Sequence, residues 1–177
     1  MDTNYELRTV FFPTMMNEAN VGLSRGRVVA VSVSATTGVR KENVPEAMVV
    51  VNHGLEGDAH AGDWHRQVSL LAQESIEKMR QRGLDLHPGD FAENITTAGL
   101  DIPHLPVGTR LRLGAAVELE VTQIGKACHH GCAIKQAVGD CVMPREGIFA
   151  RVLQGGLIRP DDPIEVLYVP GGHPDLQ

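Results

Sequence analysis

A chain of 177 residues, 42% hydrophobic and 21% charged, has room for one full hydrophobic core and little for a second. Its formal charge of -6 speaks against a general nucleic-acid surface, and no apolar run reaches membrane-spanning length. Nineteen glycines and ten prolines, spread along the chain, predict many short elements joined by turns rather than a helical bundle.

The opening MDTNYELRTVFF carries Asp2 and Glu6 and lacks the basic stretch and apolar core of a signal peptide. A cytoplasmic protein with reduced thiols is therefore expected. Residues 1–25 hold no lasting period and read as an N-terminal extension, with the domain over 26–170 and a tail at 171–177. From Arg27, VVAVSVS places Val29, Val31 and Val33 on one face of a strand that ends at Thr37-Gly38. Lys41, Glu42 and Asn43 then read as a polar loop.

A second strand, Ala47 to Val51, runs into the glycine-rich LEGDAHAGDWHRQ, which holds Asp58, His60, Asp63 and His65. Glycine permits close approach of a ligand, and polar loops between apolar strands are where sites gather. Arg66 directly precedes the apolar VSLL, so its planar guanidinium can be held rigidly against phosphate or carboxylate. Trp64 reads as packing. The spacing of Leu71, Ala72, Ser75, Ile76 and Met79 predicts an amphipathic helix over 71–82, closed by Gly83. Next, Phe91 and Ile95 are expected to be buried, while Asn94 either braces a turn or recognises a ligand beside Glu93.

Thr109–Leu113 and Val117–Gln123 alternate around Gly114-Ala115 and read as a hairpin. If Val117, Leu119 and Val121 face the core, Gln123 continues that face and points inward. A short helix is predicted over Gly147–Leu153, closed by Gly155-Gly156, and a last strand over Ile164–Val169. Roughly six or seven short strands against one firm helix predict a mainly β fold: a mixed, strand-rich barrel with short peripheral helices, closed so that no long edge is exposed. There is no phosphate-loop or dinucleotide glycine signature.

The run VTQIGKACHHGCAIKQAVGDCVMPREG holds all three cysteines, Cys128, Cys132 and Cys141, beside His129 and His130. An odd count clustered late in the chain is a poor disulfide framework. Three readings stay open. Cys128 is a nucleophile that carries sulfur as a persulfide, its pKa lowered by Lys126 and His129 or His130. Alternatively Cys128, Cys132 and Cys141 hold a structural zinc, although their spacing is looser than usual. In the third reading the cysteines are structural.

GLEGDAHAG, RQVSLL, GDFAENITTAGL, LPVGTRLRLG, VELEVTQIGKAC and REGIFARVLQGG together resemble the MOSC domain family, named for the carboxy-terminal domain of eukaryotic molybdenum cofactor sulfurases. The resemblance implies a strand-rich barrel that binds molybdenum cofactor and handles sulfur through one cysteine, matched here by Cys128. It carries over the G-D-x-H stretch to Gly57, Asp58 and His60, the R-x-V-S-L stretch to Arg66, Val68, Ser69 and Leu70, and the E-N pair to Glu93 and Asn94. Arg66 and Lys126 would meet the cofactor's phosphate, with His60, Asp58, Asn94, Gln123 and His129 around it, and Cys128 would carry the persulfide or ligate molybdenum. Many members have proline before the cysteine, where this chain has Ala127. No separate domain is present to hold pyridoxal phosphate, so the expected partners are a separate cysteine desulfurase or other sulfur donor and a molybdoenzyme. Whether the protein turns over or only carries cofactor, and whether it is a homodimer, stay open at this point.

Overall fold

The structure, a computed structural model, describes residues 25–127 and 133–171. In chain order its strands are β1 (Arg25–Val33), β2 (Glu42–Val44), β3 (Ala47–Val50), β4 (Gly54–Leu55), β5 (Val68–Ala72), β6 (Ile95–Ala98), β7 (Arg110–Leu113), β8 (Val117–Ile124), β9 (Ile148–Gln154), β10 (Gly156–Ile158) and β11 (Pro163–Tyr168). Three short α-helices accompany them among the described residues: α1 (Gln73–Arg80), α2 (Ala133–Val138) and α3 (Met143–Glu146). Seven strands hydrogen-bond in the order β11, β7, β8, β9, β5, β6, β1, and β1 pairs back onto β11 to close a barrel. The expected mixed barrel with peripheral helices is what the chain forms. The short β2 extends one side of β1, while β10, β3 and β4 make a separate small sheet. Among the described residues no helix is long and apolar enough to cross a membrane.

The barrel fills because alternate strand residues turn inward: Leu111 and Leu113, Val117, Leu119 and Val121, and Ile164 and Val166 are all buried in one cluster. A second cluster lies outside the wall, where Leu71 and Phe149 meet Ile76 and Met79 of α1 together with Val142 and Met143. Burying side chains of that size is worth about 1.5–3 kcal/mol each. Strand β5 supplies both clusters, Leu70 inward and Leu71 outward, so all five of its residues are buried.

That double burial explains where the helix begins. Leu71 and Ala72 belong to β5, and α1 starts only at Gln73, two positions later than the amphipathic spacing predicts. An apolar run buried on both faces cannot be told from a helix by periodicity. Helix α1 is the crossover that joins β5 to β6, the one parallel pair among the described strands. The same ambiguity overturns the helix expected over Gly147–Leu153. These residues form β9, whose Ile148, Ala150 and Val152 face the barrel while Phe149 joins the outer cluster. In β1 a register shift between Val28 and Ala30 breaks simple alternation. Val28 and Val31, rather than Val29 and Val31, therefore lie in the core.

Candidate functional site

The fold brings separated segments to one spot: the loop from β4 to β5 with β5 itself, the turn before β6, the segment after β8, α3 and the start of β9. They enclose a cavity of about 230 Å³ lined by His60, Trp64, Arg66, Asn94, Lys126 and Phe149, with Ser69, Ala92 and Met143 completing it. The Arg66 guanidinium lies 4.6 Å from the Trp64 ring centre and 5.7 Å from that of Phe149. Lys126 Nζ is 5.8 Å from the same Phe149 ring. Aromatic faces attract and orient such cations without neutralising them. Arg66 Nε is buried with no hydrogen-bond partner. Buried polar atoms are almost always paired, so an orphan donor in a cavity wall signals a missing acceptor. Among the described residues no carboxylate pairs with Arg66 or Lys126 either, which leaves the cavity positive.

Behind this wall sits an ion pair that the polar-loop reading of Lys41 missed. Lys41 and Asp58 are hydrogen-bonded, with side chains 0% and 1% exposed. Asp58 also accepts from the backbone N–H of Ser34 at 3.1 Å and of His60 at 2.9 Å. Burial lowers Lys41 below the usual lysine range, outweighing the pull of Asp58 and Glu93. Burial opposes the charge on Asp58 as well, but the Lys41 ammonium and the two N–H donors outweigh it and hold the carboxyl below its ordinary value. His60 is lowered by burial first and then by Lys41, so it is neutral near pH 7. Its Nδ1 faces Lys41 Nζ at 3.4 Å.

Glu93 and Asn94 serve as braces. Glu93, fully buried, accepts from Gly89 N at 2.7 Å, Phe91 N at 3.1 Å and Thr96 Oγ1 at 2.9 Å. Burial raises its pKa despite those donors. Asn94 Oδ1 accepts from Ser69 N at 3.1 Å and Ser69 Oγ at 3.0 Å, and its Nδ2 donates to Ser32 O at 3.2 Å. Its amide thus spans β1, β5 and β6 while the residue lines the cavity. Asp58 is not among the lining residues, because its carboxylate turns to Lys41.

Gln123 does not continue the inward face of β8. The register shifts between Val121 and Gln123, and the half-buried amide donates to Gly125 O at 2.6 Å and meets His65 Nε2 at 3.0 Å. With Lys126, Ala127 and Lys135 it lines a neighbouring groove of about 460 Å³. Trp64, expected as packing, is 37% exposed, covers Arg66 and donates from Nε1 to His60 O at 2.9 Å. Cys141 is buried in the outer cluster. Cys128, His129 and Cys132 lie outside the described residues, and among the described residues no cluster of three His, Cys, Asp or Glu could hold a metal. A larger cavity, about 730 Å³, lies elsewhere, between α1 and α3. None of the candidate site residues named from the sequence lines it, and its Glu146 is already bonded to Ser75 and Lys78.

Gly125 fixes how Lys126 enters the cavity. Its φ is +64°, and a Cβ there would lie 2.0 Å from Pro144 O. Both constraints demand glycine. Gly125→Ala is expected to displace the 125–127 segment and destabilise the protein by more than about 1–2 kcal/mol, since strain and a backbone collision add. A thermal midpoint equal to that of the wild type would refute this.

A family model for the MOSC domain matches residues 56–165, well over half of the chain. The chain belongs to the MOSC domain family. The matched span contains every residue of the cavity wall. Similar solved structures include the YUAD protein of Bacillus subtilis, with a TM-score of 0.69 at 16% identity, covering 81% of this chain and 96% of that one. YiiM from Geobacillus stearothermophilus gives a TM-score of 0.64 at 23% identity, with 86% and 79% covered. For YiiM from Escherichia coli the TM-score is 0.57 at 23% identity, with 81% and 70% covered. At these identities the likeness concerns the fold. No curated protein matches the chain.

Proposed function

We propose that this MOSC domain binds a molybdopterin-type molybdenum cofactor by its phosphate in the Arg66–Lys126 cavity, and that Cys128 carries sulfur to the metal centre or ligates it. The observation that supports this most is the buried, unpartnered Arg66 Nε in a wall whose cations lack carboxylates. An oxyanion supplies the acceptor that such a donor lacks. The cavity is smaller than the usual 300–1,000 Å³ of a small-molecule site, so it suits the anionic end of a larger ligand that continues outside. Bound cofactor would supply molybdenum as the sulfur acceptor; the protein would bind, orient and shield.

Cys128 stands two residues after Lys126, so the sulfur chemistry and the anion site are joined through one short loop. As a carrier, the Cys128 thiolate attacks the outer sulfur of a donor persulfide. One S–S bond forms on Cys128 as the donor's breaks, the donor leaves as its thiolate, and no net oxidation occurs. The donor is a separate cytoplasmic cysteine desulfurase or comparable protein. The alternative in which the domain is a carrier without turnover differs only in whether that sulfur leaves again.

The test is purification of wild type, Arg66→Ala and Cys128→Ala after incubation with excess cofactor, followed by pterin fluorescence, molybdenum analysis and intact mass. Wild type is expected to retain pterin and gain one sulfur after exposure to a persulfide donor. Arg66→Ala should lose the pterin, and C128A should keep it and lose the added sulfur. Equal pterin retention in wild type and R66A removes the reading.

A further inference from the structure

We propose that Lys41 is a positioning residue for the cavity: its buried ammonium, held by Asp58, fixes His60 in the tautomer protonated on Nε2, so the wall beside Arg66 presents a neutral N–H donor. Its use in ligand binding rests on the anion-site reading above, whereas the tautomer itself does not.

An ammonium group has only donors. A ring nitrogen facing one can therefore only accept, and His60 Nδ1 lies 3.4 Å from Lys41 Nζ. A proton on Nδ1 could turn instead to Asp58 Oδ1, 3.5 Å away. That oxygen already accepts the His60 backbone N–H at 2.9 Å, and the proton would lie against the ammonium. Asp58 thus grips His60 through its backbone while Lys41 sets its ring. Both partners are inaccessible to solvent, so water does not loosen the arrangement.

The charged groups that act on the ring are Lys41 and Asp58 behind it and Lys126 across the cavity. Arg66 lines the same cavity. Cations outnumber the single carboxylate, which disfavours an imidazolium. Among the described residues Nε2 has no partner, and it is the ring nitrogen left for a ligand in the cavity. The wall then offers Arg66 Nε, the His60 N–H and Lys126, donors throughout. An oxyanion with several acceptor oxygens meets that set, and a ligand that must donate does not.

The experiment is long-range ¹H–¹⁵N correlation on protein labelled at histidine, with His60 assigned by its loss in His60→Gln. In the wild type, His60 is expected to show the Nε2–H tautomer alone near neutral pH, with its titration midpoint below that of an ordinary histidine. Because Lys41→Met strands a buried carboxylate and can fail to fold, the paired variant is Lys41→Met with Asp58→Asn, which removes both charges together. There the Nδ1–H form should appear and the midpoint rise. An Nδ1–H tautomer in the wild type, or an unchanged tautomer and midpoint in the paired variant, would overturn the proposal. Added inorganic phosphate should then shift the Nε2 resonance in the wild type. The stated tautomer with no response to phosphate upholds the role of Lys41 and counts against the anion-site reading alone.

Discussion

Asp58→Ala is expected to cost about 3–5 kcal/mol of stability, the penalty for leaving a buried charge without its partner. The stranded group is Lys41, whose side chain is wholly buried and whose other near neighbour, His60, is neutral near pH 7. The loss also frees the N–H groups of Ser34 and His60, so the loop that carries His60 to the cavity loosens with the core. Denaturant midpoints at constant slope measure the effect. Adding Lys41→Met to Asp58→Ala should restore most of it, because removing both charges ends the penalty that removing one creates. Failure of that rescue would show that the backbone contacts of Asp58 matter more than its charge. A pH series adds a signed test. The Asp58 pKa is lowered from 3.8 in the folded state, so its stabilisation is present above that value and is lost as pH falls through the lowered one. The acid limb of the stability curve should flatten in Asp58→Asn.

Arg66→Ala should weaken binding of the phosphate-bearing cofactor roughly 10- to 100-fold, matching about 1.5–3 kcal/mol for hydrogen bonds to a charged group. Stability should change by far less, because Arg66 makes aromatic contacts and its Nε has no hydrogen bond to lose. Arg66→Lys should not restore affinity, since an ammonium cannot reproduce a planar fork stacked between two rings. Equilibrium titration of the three proteins with the cofactor at fixed salt decides the matter. Equal affinities would place the phosphate elsewhere. A large drop in the thermal midpoint of the unliganded Arg66→Ala protein would make the residue structural.

The fold class was legible because the β7–β8 hairpin alternates strongly and because only one segment has a clear helical face. Where reading failed, the cause was burial on both sides. Strands β5 and β9 serve the barrel and the outer cluster together, and their continuous apolar runs carry no period that separates strand from helix. Part of the cavity lining was legible: Arg66, Asn94 and Lys126 flank apolar strands, and His60 lies in the glycine-rich loop before β5. Lys41 was not, because a lysine between polar neighbours carries no local sign that a distant Asp58 will bury it. Phe149 was hidden by the false helix, and Trp64 by the ordinary expectation that a lone tryptophan packs in a core.

Barrel closure between β1 and β11 sets a kinetic condition on the whole chain. The pairing of Arg25 with Glu165 joins the first described strand to the last, so it cannot form until nearly the entire domain has been made. Each neighbouring pair can zip locally, as β7 and β8 do across their short turn, but the seam carries the full entropy of ring closure. Proteins dominated by such distant pairings fold in milliseconds to seconds rather than microseconds. Until the seam closes, β1 and β11 each present an open edge. Between synthesis of β11 and closure of the seam, two complementary edges are available to any other copy, so prompt closure protects the molecule from strand exchange.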